Sequence, residues 1–111
     1  MELSATEAVD LLRKREVAPR ELIDAAERRA DLVDPAINAL PIRFFDSARR
    51  KAAALPAAPE GGRAWLAGLP IAVKDLGHVA GERTTMGGSG LFADTVAAQS
   101  SYDVAALERN E

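Results

Sequence analysis

The first third of the chain has the hydrophobic spacing of two amphipathic helices. Ser4 and Glu7 have the spacing of a capping box, in which each side chain bonds a backbone N–H group of the first turn. Apolar residues at helical intervals predict the buried stripe of the first helix: Ala5, Ala8, Val9 and Leu12.

A second helix is predicted to begin at Pro19, because proline suits the first helical position, and to end at Asp34, which precedes Pro35. Residues 35–43 are expected to be extended. The predicted buried face consists of Ile23, Ala26, Ala30 and Val33, and the predicted solvent-facing side of Arg20, Glu27, Arg28 and Arg29.

A third, alanine-rich helix is predicted to begin between Phe44 and Ser47 and to end at Pro56. Residues 1–55 are therefore expected to be the helical region of the chain, with the extended residues 35–43 between the second and third helices. Residues 56–65 begin with a Pro- and Gly-rich stretch that is typical of a surface linker. The expected inner side of the third helix consists of Phe44, Ala48, Ala52 and Leu55.

The pattern changes in residues 66–111. Residues 69–73 read Leu-Pro-Ile-Ala-Val, a short apolar run typical of a strand buried on both faces. Five glycines between residues 77 and 90 predict a loop with tight turns, and Ser100 opens a last helix that carries Val104, Ala105 and Leu107. A buried strand needs neighbours on both edges, so these elements are expected to belong to a larger fold.

The composition excludes several classes of protein. With 111 residues, the chain is one modest domain or part of one, and its net charge of −3 favours neither nucleic acid nor an anionic membrane as partner. It has no cysteine and a single histidine, which argues against disulfides and against thiolate or histidine-cluster metal sites. No signal peptide and no apolar run near the ~20 residues of a membrane span is present, so a cytoplasmic protein is expected.

Lys74 is the strongest candidate for a chemically active side chain, because it lies directly between the apolar run and the glycine-rich loop. Burial disfavours the ammonium form, so a lysine at such a place can serve as a base. The alternatives are a lysine that ends a strand and reaches solvent, and a Schiff-base lysine of a lyase.

The surrounding residues resemble a known family. Residues 66–75 read Leu-Ala-Gly-Leu-Pro-Ile-Ala-Val-Lys-Asp and are followed by Val-Ala-Gly at 79–81 and Thr-Thr-Met-Gly at 84–87. This string closely resembles the lysine segment of the amidase signature family. The likeness extends over nearly the whole chain, with matching features at residues 4–12 and 34–39 before the string and at 92–94 and 103–107 after it.

The resemblance implies an α/β fold with a large mixed sheet and a Ser–cis-Ser–Lys triad that hydrolyses carboxamides. In that family, the lysine matching Lys74 acts as a base through a bridging serine, and both serines lie on a downstream segment that nothing here matches. The chain is therefore expected to be the amino-terminal part of a single amidase domain and to be inactive alone. The expected supporting loop residues are Asp75, Thr84, Thr85 and Gly87.

The resemblance also implies the partners. A small-molecule amide is the expected substrate of the complete protein, with amidotransferase subunits or a second copy as possible protein partners. No cofactor, metal, membrane or directly bound nucleic acid is expected. The alternative function is a truncated, non-catalytic interaction module that uses its helices to bind a partner.

Three further residues near Lys74 have structural interpretations. Ser89 lies in a Gly-Gly-Ser-Gly string that looks like a nucleophile loop, but its place matches the family's Thr-Thr-x-Gly-Ser loop. Relative to that loop, the chain has either Gly88 in place of the usual serine or one extra residue. Asp75 is expected to bond loop N–H groups rather than to orient Lys74. His78 is expected to be a half-exposed loop residue.

Overall fold

The computed structural model describes residues 3–55 and 65–110, which form two compact units. One unit contains the described residues up to Pro70 together with Asn110, and the other spans Ile71–Arg109. The helices of the described ranges are α1 (Ala5–Arg13), α2 (Pro19–Ile37), α3 (Phe45–Ala53), a 3₁₀ turn (Gly90–Phe92) and α4 (Tyr102–Glu108). None of them is long and apolar enough to cross a membrane.

The start of α1 is the predicted capping box. The Ser4 hydroxyl accepts the Glu7 N–H at 3.3 Å, and the Ser4 N–H donates to the Glu7 carboxylate at 2.8 Å. Of the predicted stripe, Ala8 and Leu12 are buried, Val9 is partly buried and Ala5 is exposed. Two side chains one turn apart therefore form the packed side of this short helix.

The start and the buried face of α2 are largely as predicted. Pro19 is its first residue, and Ile23 and Ala30 are buried, while Ala26 and Val33 are partly exposed. Arg20, Arg28 and Arg29 lie in solvent as expected. Glu27 is partly buried instead, because it binds Arg49 of α3.

The predicted end of α2 at Asp34 is wrong, since the helix continues through Pro35 to Ile37. Pro35 lies in the last turn of the helix and removes only its own backbone N–H donor. The backbone N–H groups that follow the helix bond to Asp34 instead. Asn38 adopts a left-handed conformation (φ 49°), with its N–H on the Asp34 carbonyl at 2.7 Å. The Asp34 side chain accepts the N–H groups of Ala39 and Leu40 at 2.6 and 3.0 Å, and this carboxylate therefore ends the helix.

Helix α3 begins at Phe45, within the predicted range, and packs against α2. Arg49 joins the two helices: its guanidinium bonds Asp24 at 2.8 Å and also Glu27, while a third N–H group bonds Asp46 of its own helix at 2.9 Å. The predicted inner residues Phe44, Ala48, Ala52 and Leu55 are only partly buried. The helix ends at Ala53, before the predicted end at Pro56; Pro56 itself and nearly all of the 56–65 linker lie outside the described residues.

A tight turn at residues 66–69 requires glycine at its third position. Gly68 has a φ of 78°, and a Cβ there would lie 2.6 Å from the Leu55 Cδ1 atom and 2.9 Å from the Pro19 Cβ atom. The Leu69 N–H closes the turn on the Leu66 carbonyl at 3.0 Å. The backbone thus approaches the start of α2 more closely than any side chain allows.

The predicted strand at residues 69–73 is not formed. These residues have no strand partner among the described residues, and Ile71 is 45% exposed. The only β-type pairing in the described ranges is an isolated antiparallel bridge between Arg83 and Val96. A strand is stable only where a neighbour satisfies its backbone groups, so the sheet remains a prediction.

Helix α4 matches its prediction. It begins at Tyr102 after Ser101, spans seven residues and buries Val104, while Ala105 is partly buried and Leu107 is exposed.

The packing of α2 leads to a stability prediction. Ile23 is 3% exposed, so Ile23→Ala should lower the free energy of unfolding by about 2 to 4 kcal/mol through lost burial and the cavity left behind. Leu32 lies on the same helix but is 75% exposed, and Leu32→Ala should change it by less than about 0.5 kcal/mol. Urea denaturation of both variants measures the difference; equal losses would contradict the described packing.

Candidate active-site loop

The loop after Lys74 is built around the carboxylate of Asp75. One carboxylate oxygen accepts the Thr84 hydroxyl at 3.1 Å and the Thr85 N–H at 2.9 Å. The other accepts the Thr85 hydroxyl and, at 3.1 Å, the Gly87 N–H. Two hydroxyls and two backbone amides therefore converge on a single side chain.

The turn that supplies these donors is tightly wound. Met86, Gly87 and Gly88 all have positive φ angles, of 53°, 81° and 90°. This curvature lets the Gly88 N–H donate to the Thr85 hydroxyl oxygen at 2.9 Å while the same hydroxyl donates to Asp75. Thr85 is thus a relay between the carboxylate and the next turn, and at 8% exposure it is shielded from water that would compete for these bonds.

A second set of bonds holds the other side of the loop. The Thr84 N–H donates to the Thr95 carbonyl at 2.9 Å, and the Ala97 N–H to the Glu82 carbonyl at 3.0 Å, around the bridge between Arg83 and Val96. Residues 82–85 are therefore fixed from both sides, by Asp75 and by residues 95–97.

Two serines before α4 join that helix to the loop. The Ser101 hydroxyl accepts the His78 N–H at 3.2 Å, and the Ser101 N–H donates to the His78 carbonyl at 3.0 Å. The Ser100 hydroxyl accepts the Ala80 N–H at 3.0 Å. Each of these bonds joins residues at least twenty positions apart, so no local sequence pattern predicts them.

The hydrogen bonds keep Asp75 ionised. The Thr85 hydroxyl contributes most, and together with the backbone amides of Thr85 and Gly87 and the Thr84 hydroxyl it lowers the pKa of Asp75 from 3.8 to about 2, although partial burial acts in the opposite direction. The Asp75 carboxylate therefore keeps its charge to a lower pH than an aspartate at the ordinary pKa of 3.8.

Lys74 itself is exposed. Its carbonyl accepts the N–H groups of Leu76 and Gly77, both at 2.8 Å, which turns the backbone directly after it. Its ammonium group makes no ion pair or hydrogen bond with any other side chain in residues 3–55 and 65–110. The prediction that this amine is buried is therefore wrong for the described residues, in which Lys74 is exposed.

The structure brings together all four residues predicted to support the loop: Asp75, Thr84, Thr85 and Gly87. Asp75 bonds loop N–H groups as expected. His78 is partly exposed, with its Nε2 atom 3.3 Å from the Met86 sulfur, and Ser89 precedes the 3₁₀ turn with its N–H on the Thr85 carbonyl. The catalytic role of Lys74 and the supporting role of the other four remain predictions.

Comparison with known proteins identifies the family. A model of the amidase family matches residues 21–111, which include Lys74 and the whole loop. A glutamyl-tRNA(Gln) amidotransferase subunit of Halothermothrix orenii is 39% identical over 84 residues, or 76% of this chain and 16% of that protein. The acylamidase of Rhodococcus erythropolis is 37% identical over 87 residues, or 77% of this chain and 18% of that protein.

A third relative is the putative amidase AmiC of Mycobacterium tuberculosis, which is 36% identical over 86 residues, or 78% of this chain and 17% of that protein. The chain therefore belongs to the amidase family. It spans about a sixth of the length of these three relatives.

The charge on Asp75 leads to a pH prediction. Because its pKa is lowered in the folded loop, the carboxylate stabilises the loop above about pH 4, and this contribution is lost as the pH falls through about 2. In an NMR titration, the Thr85 and Gly87 amide signals should change with a midpoint near 2.

Asp75→Asn should abolish that transition, whereas Asp94→Asn, at an exposed position of the same unit, should leave it in place. A midpoint near the usual aspartate value of 3.8 would contradict the described hydrogen bonds.

Proposed function

We propose that this chain supplies the catalytic lysine of an amidase that hydrolyses carboxamides, and that Lys74 is this lysine. The observation that carries the proposal is the family match over residues 21–111, a range that includes Lys74. The choice of Lys74 as the base is supported by the resemblance of residues 66–75 to the family's lysine segment. The names of the relatives, which are an amidotransferase, an acylamidase and a putative amidase, point to the same C–N bond chemistry.

The proposed reaction is an acyl transfer to serine followed by hydrolysis. The Lys74 amine takes a proton from a bridging serine, which takes one from the nucleophilic serine as its oxygen attacks the amide carbon. The C–N bond then breaks, and the proton held by the lysine returns through the bridge to the departing nitrogen. Water cleaves the resulting ester and releases the acid. Neither serine has a match in this chain.

The chemistry sets a condition on the surroundings of Lys74. An amine is a useful base only when its ammonium form is disfavoured, which burial achieves and exposure to water does not. In the proposed complete site, the amine of Lys74 is therefore covered by the α/β sheet and the serine segment of the domain. The amide substrate, amidotransferase subunits and a cytoplasmic location belong to the same proposal.

A second candidate function, a non-catalytic interaction module, is favoured by one specific observation. Within Ile71–Arg109, large apolar side chains are exposed. Apolar side chains that contact solvent are available to pack against another polypeptide. The exposed residues are Ile71, Leu76, Met86, Leu91, Phe92, Val96, Tyr102 and Leu107.

The proposed role of Lys74 as a base can be tested in a chimaera in which residues 21–111 replace the matching segment of the Rhodococcus acylamidase. Lys74→Ala should lower kcat for amide hydrolysis by about 10²- to 10⁴-fold, because a general base is lost. Lys74→Arg should be equally inactive, since arginine keeps the charge but does not give up its proton.

Lys51→Ala, at an exposed position of α3, is the control and should retain activity. Circular dichroism checks that each variant is folded, and the 111-residue chain alone should give no turnover. A folded Lys74→Ala chimaera with unchanged kcat would refute the proposal.

The solution mass of the 111-residue chain discriminates between the two functions. The amidase proposal predicts a monomer whose amide protons in residues 69–73 exchange rapidly, because the strand predicted there has no pairing partner among the described residues. Sedimentation equilibrium measures the mass and hydrogen exchange the protection. A defined oligomer with slowly exchanging amides in residues 69–73 would instead favour the interaction module.

A further inference from the structure

We infer that Asp75 is a positioning residue for Lys74: its carboxylate clamps the backbone that carries the lysine to the Thr84–Gly88 turn, and its filled acceptor positions leave no place on Asp75 for the lysine amine. The inference rests on the proposed role of Lys74 as a base. It concerns how the neighbouring residues make that role possible.

The first step is the saturation of the carboxylate. A carboxylate offers about four acceptor positions on its two oxygens. In this loop all four are filled by neutral donors: two on one oxygen from Thr84 and Thr85, and two on the other from Thr85 and Gly87. No acceptor position is left for an ammonium group.

The second step concerns the charge of Lys74. A carboxylate in direct contact with an ammonium group favours the protonated form and thereby weakens a basic lysine. Asp75 is the nearest acidic residue in the sequence. The Asp75 carboxylate accepts from Thr84, Thr85 and Gly87 instead, and among residues 3–55 and 65–110 the amine of Lys74 makes no ion pair.

The third step concerns the direction of the lysine. The Lys74 carbonyl is fixed by the N–H groups of Leu76 and Gly77, both at 2.8 Å, and the side chain of the next residue is fixed by the clamp. The turn is also closely packed, since a Cβ at Gly77 would lie only 3.1 Å from the Val73 Cγ1 atom. The backbone at Lys74 therefore has little freedom, and loosening the clamp should change the direction of its side chain.

The test uses the chimaera described above and variants that keep side-chain shape. Asp75→Asn replaces one accepting oxygen by an NH₂ group that faces other donors, and Thr85→Val removes the hydroxyl that donates to Asp75. Both should lower kcat by about 10- to 100-fold with KM changed by less than about threefold, because a displaced base slows the chemical step more than substrate binding.

Two variants serve as controls. Thr85→Ser keeps the hydroxyl and should restore most of the activity that Thr85→Val loses. Asp94→Asn removes an exposed carboxylate of the same unit and should leave kcat unchanged. If Asp75→Asn and Thr85→Val have the kcat of Asp94→Asn while Lys74→Ala is inactive, the positioning role is refuted and the proposed function stands. If Lys74→Ala is itself active, the proposed function fails.

A measurement on the 111-residue chain applies even if a chimaera does not fold. Asp75→Asn should make the Leu76 and Gly77 amide protons exchange at least about tenfold faster, because the turn behind Lys74 loses its anchor. Asp94→Asn should leave them unchanged. Unchanged exchange in Asp75→Asn would contradict the clamp, since a carboxylate that positions Lys74 must stabilise this turn.

Discussion

The conformation of the segment after Lys74 depends on one interaction, the acceptance of four hydrogen bonds by the Asp75 carboxylate. Residues 71–101 contain no helix beyond a single 3₁₀ turn and no strand, so regular secondary structure does not satisfy their backbone groups. A buried or half-buried loop must find partners elsewhere. Asp75 supplies them for the turn at residues 84–88, and the hydroxyls of Ser100 and Ser101 supply them for residues 78–80.

In the unit that contains α1, α2 and α3, charged side chains also bond backbone groups and neighbouring helices. Arg49 holds α3 against α2 through Asp24 and Glu27, and Asp34 ends α2 by accepting two backbone N–H groups while Arg43 donates to it at 2.8 Å. The Arg43 bond is the largest of the effects that lower the pKa of Asp34. Since no residue of α3 is fully buried, these bonds orient an element that apolar packing alone would leave weakly placed.

The sequence predicted those parts of the fold that short-range physics determines. The capping box at Ser4, the proline at the start of α2 and the apolar spacing around Ile23 act within one or two turns, and the helices begin where these signals lie. The end of α2 was mispredicted because the capping carboxylate of Asp34 outweighs the usual effect of Pro35. The strand at residues 69–73 depends on neighbours distant in sequence, which no local pattern contains.

The residues of the candidate site were predictable from the sequence, but most of their hydrogen bonds were not. The family resemblance led to Lys74, Asp75, Thr84, Thr85 and Gly87, and the general preference of aspartate for loop amides indicated what Asp75 bonds. The relay through the Thr85 hydroxyl and the serine bonds to residues 78 and 80 were not predictable, because they depend on positive φ angles and on contacts across twenty residues or more.

The central claim is that Lys74 is the base of an amide-hydrolysing site. A crystal structure of the active chimaera tests it most directly, through the distance between the Lys74 Nζ atom and the nearest serine hydroxyl oxygen. We expect a distance of about 3 Å, with the amine covered by protein. A lysine whose amine extends into bulk solvent, with no serine hydroxyl within hydrogen-bond reach, would contradict it.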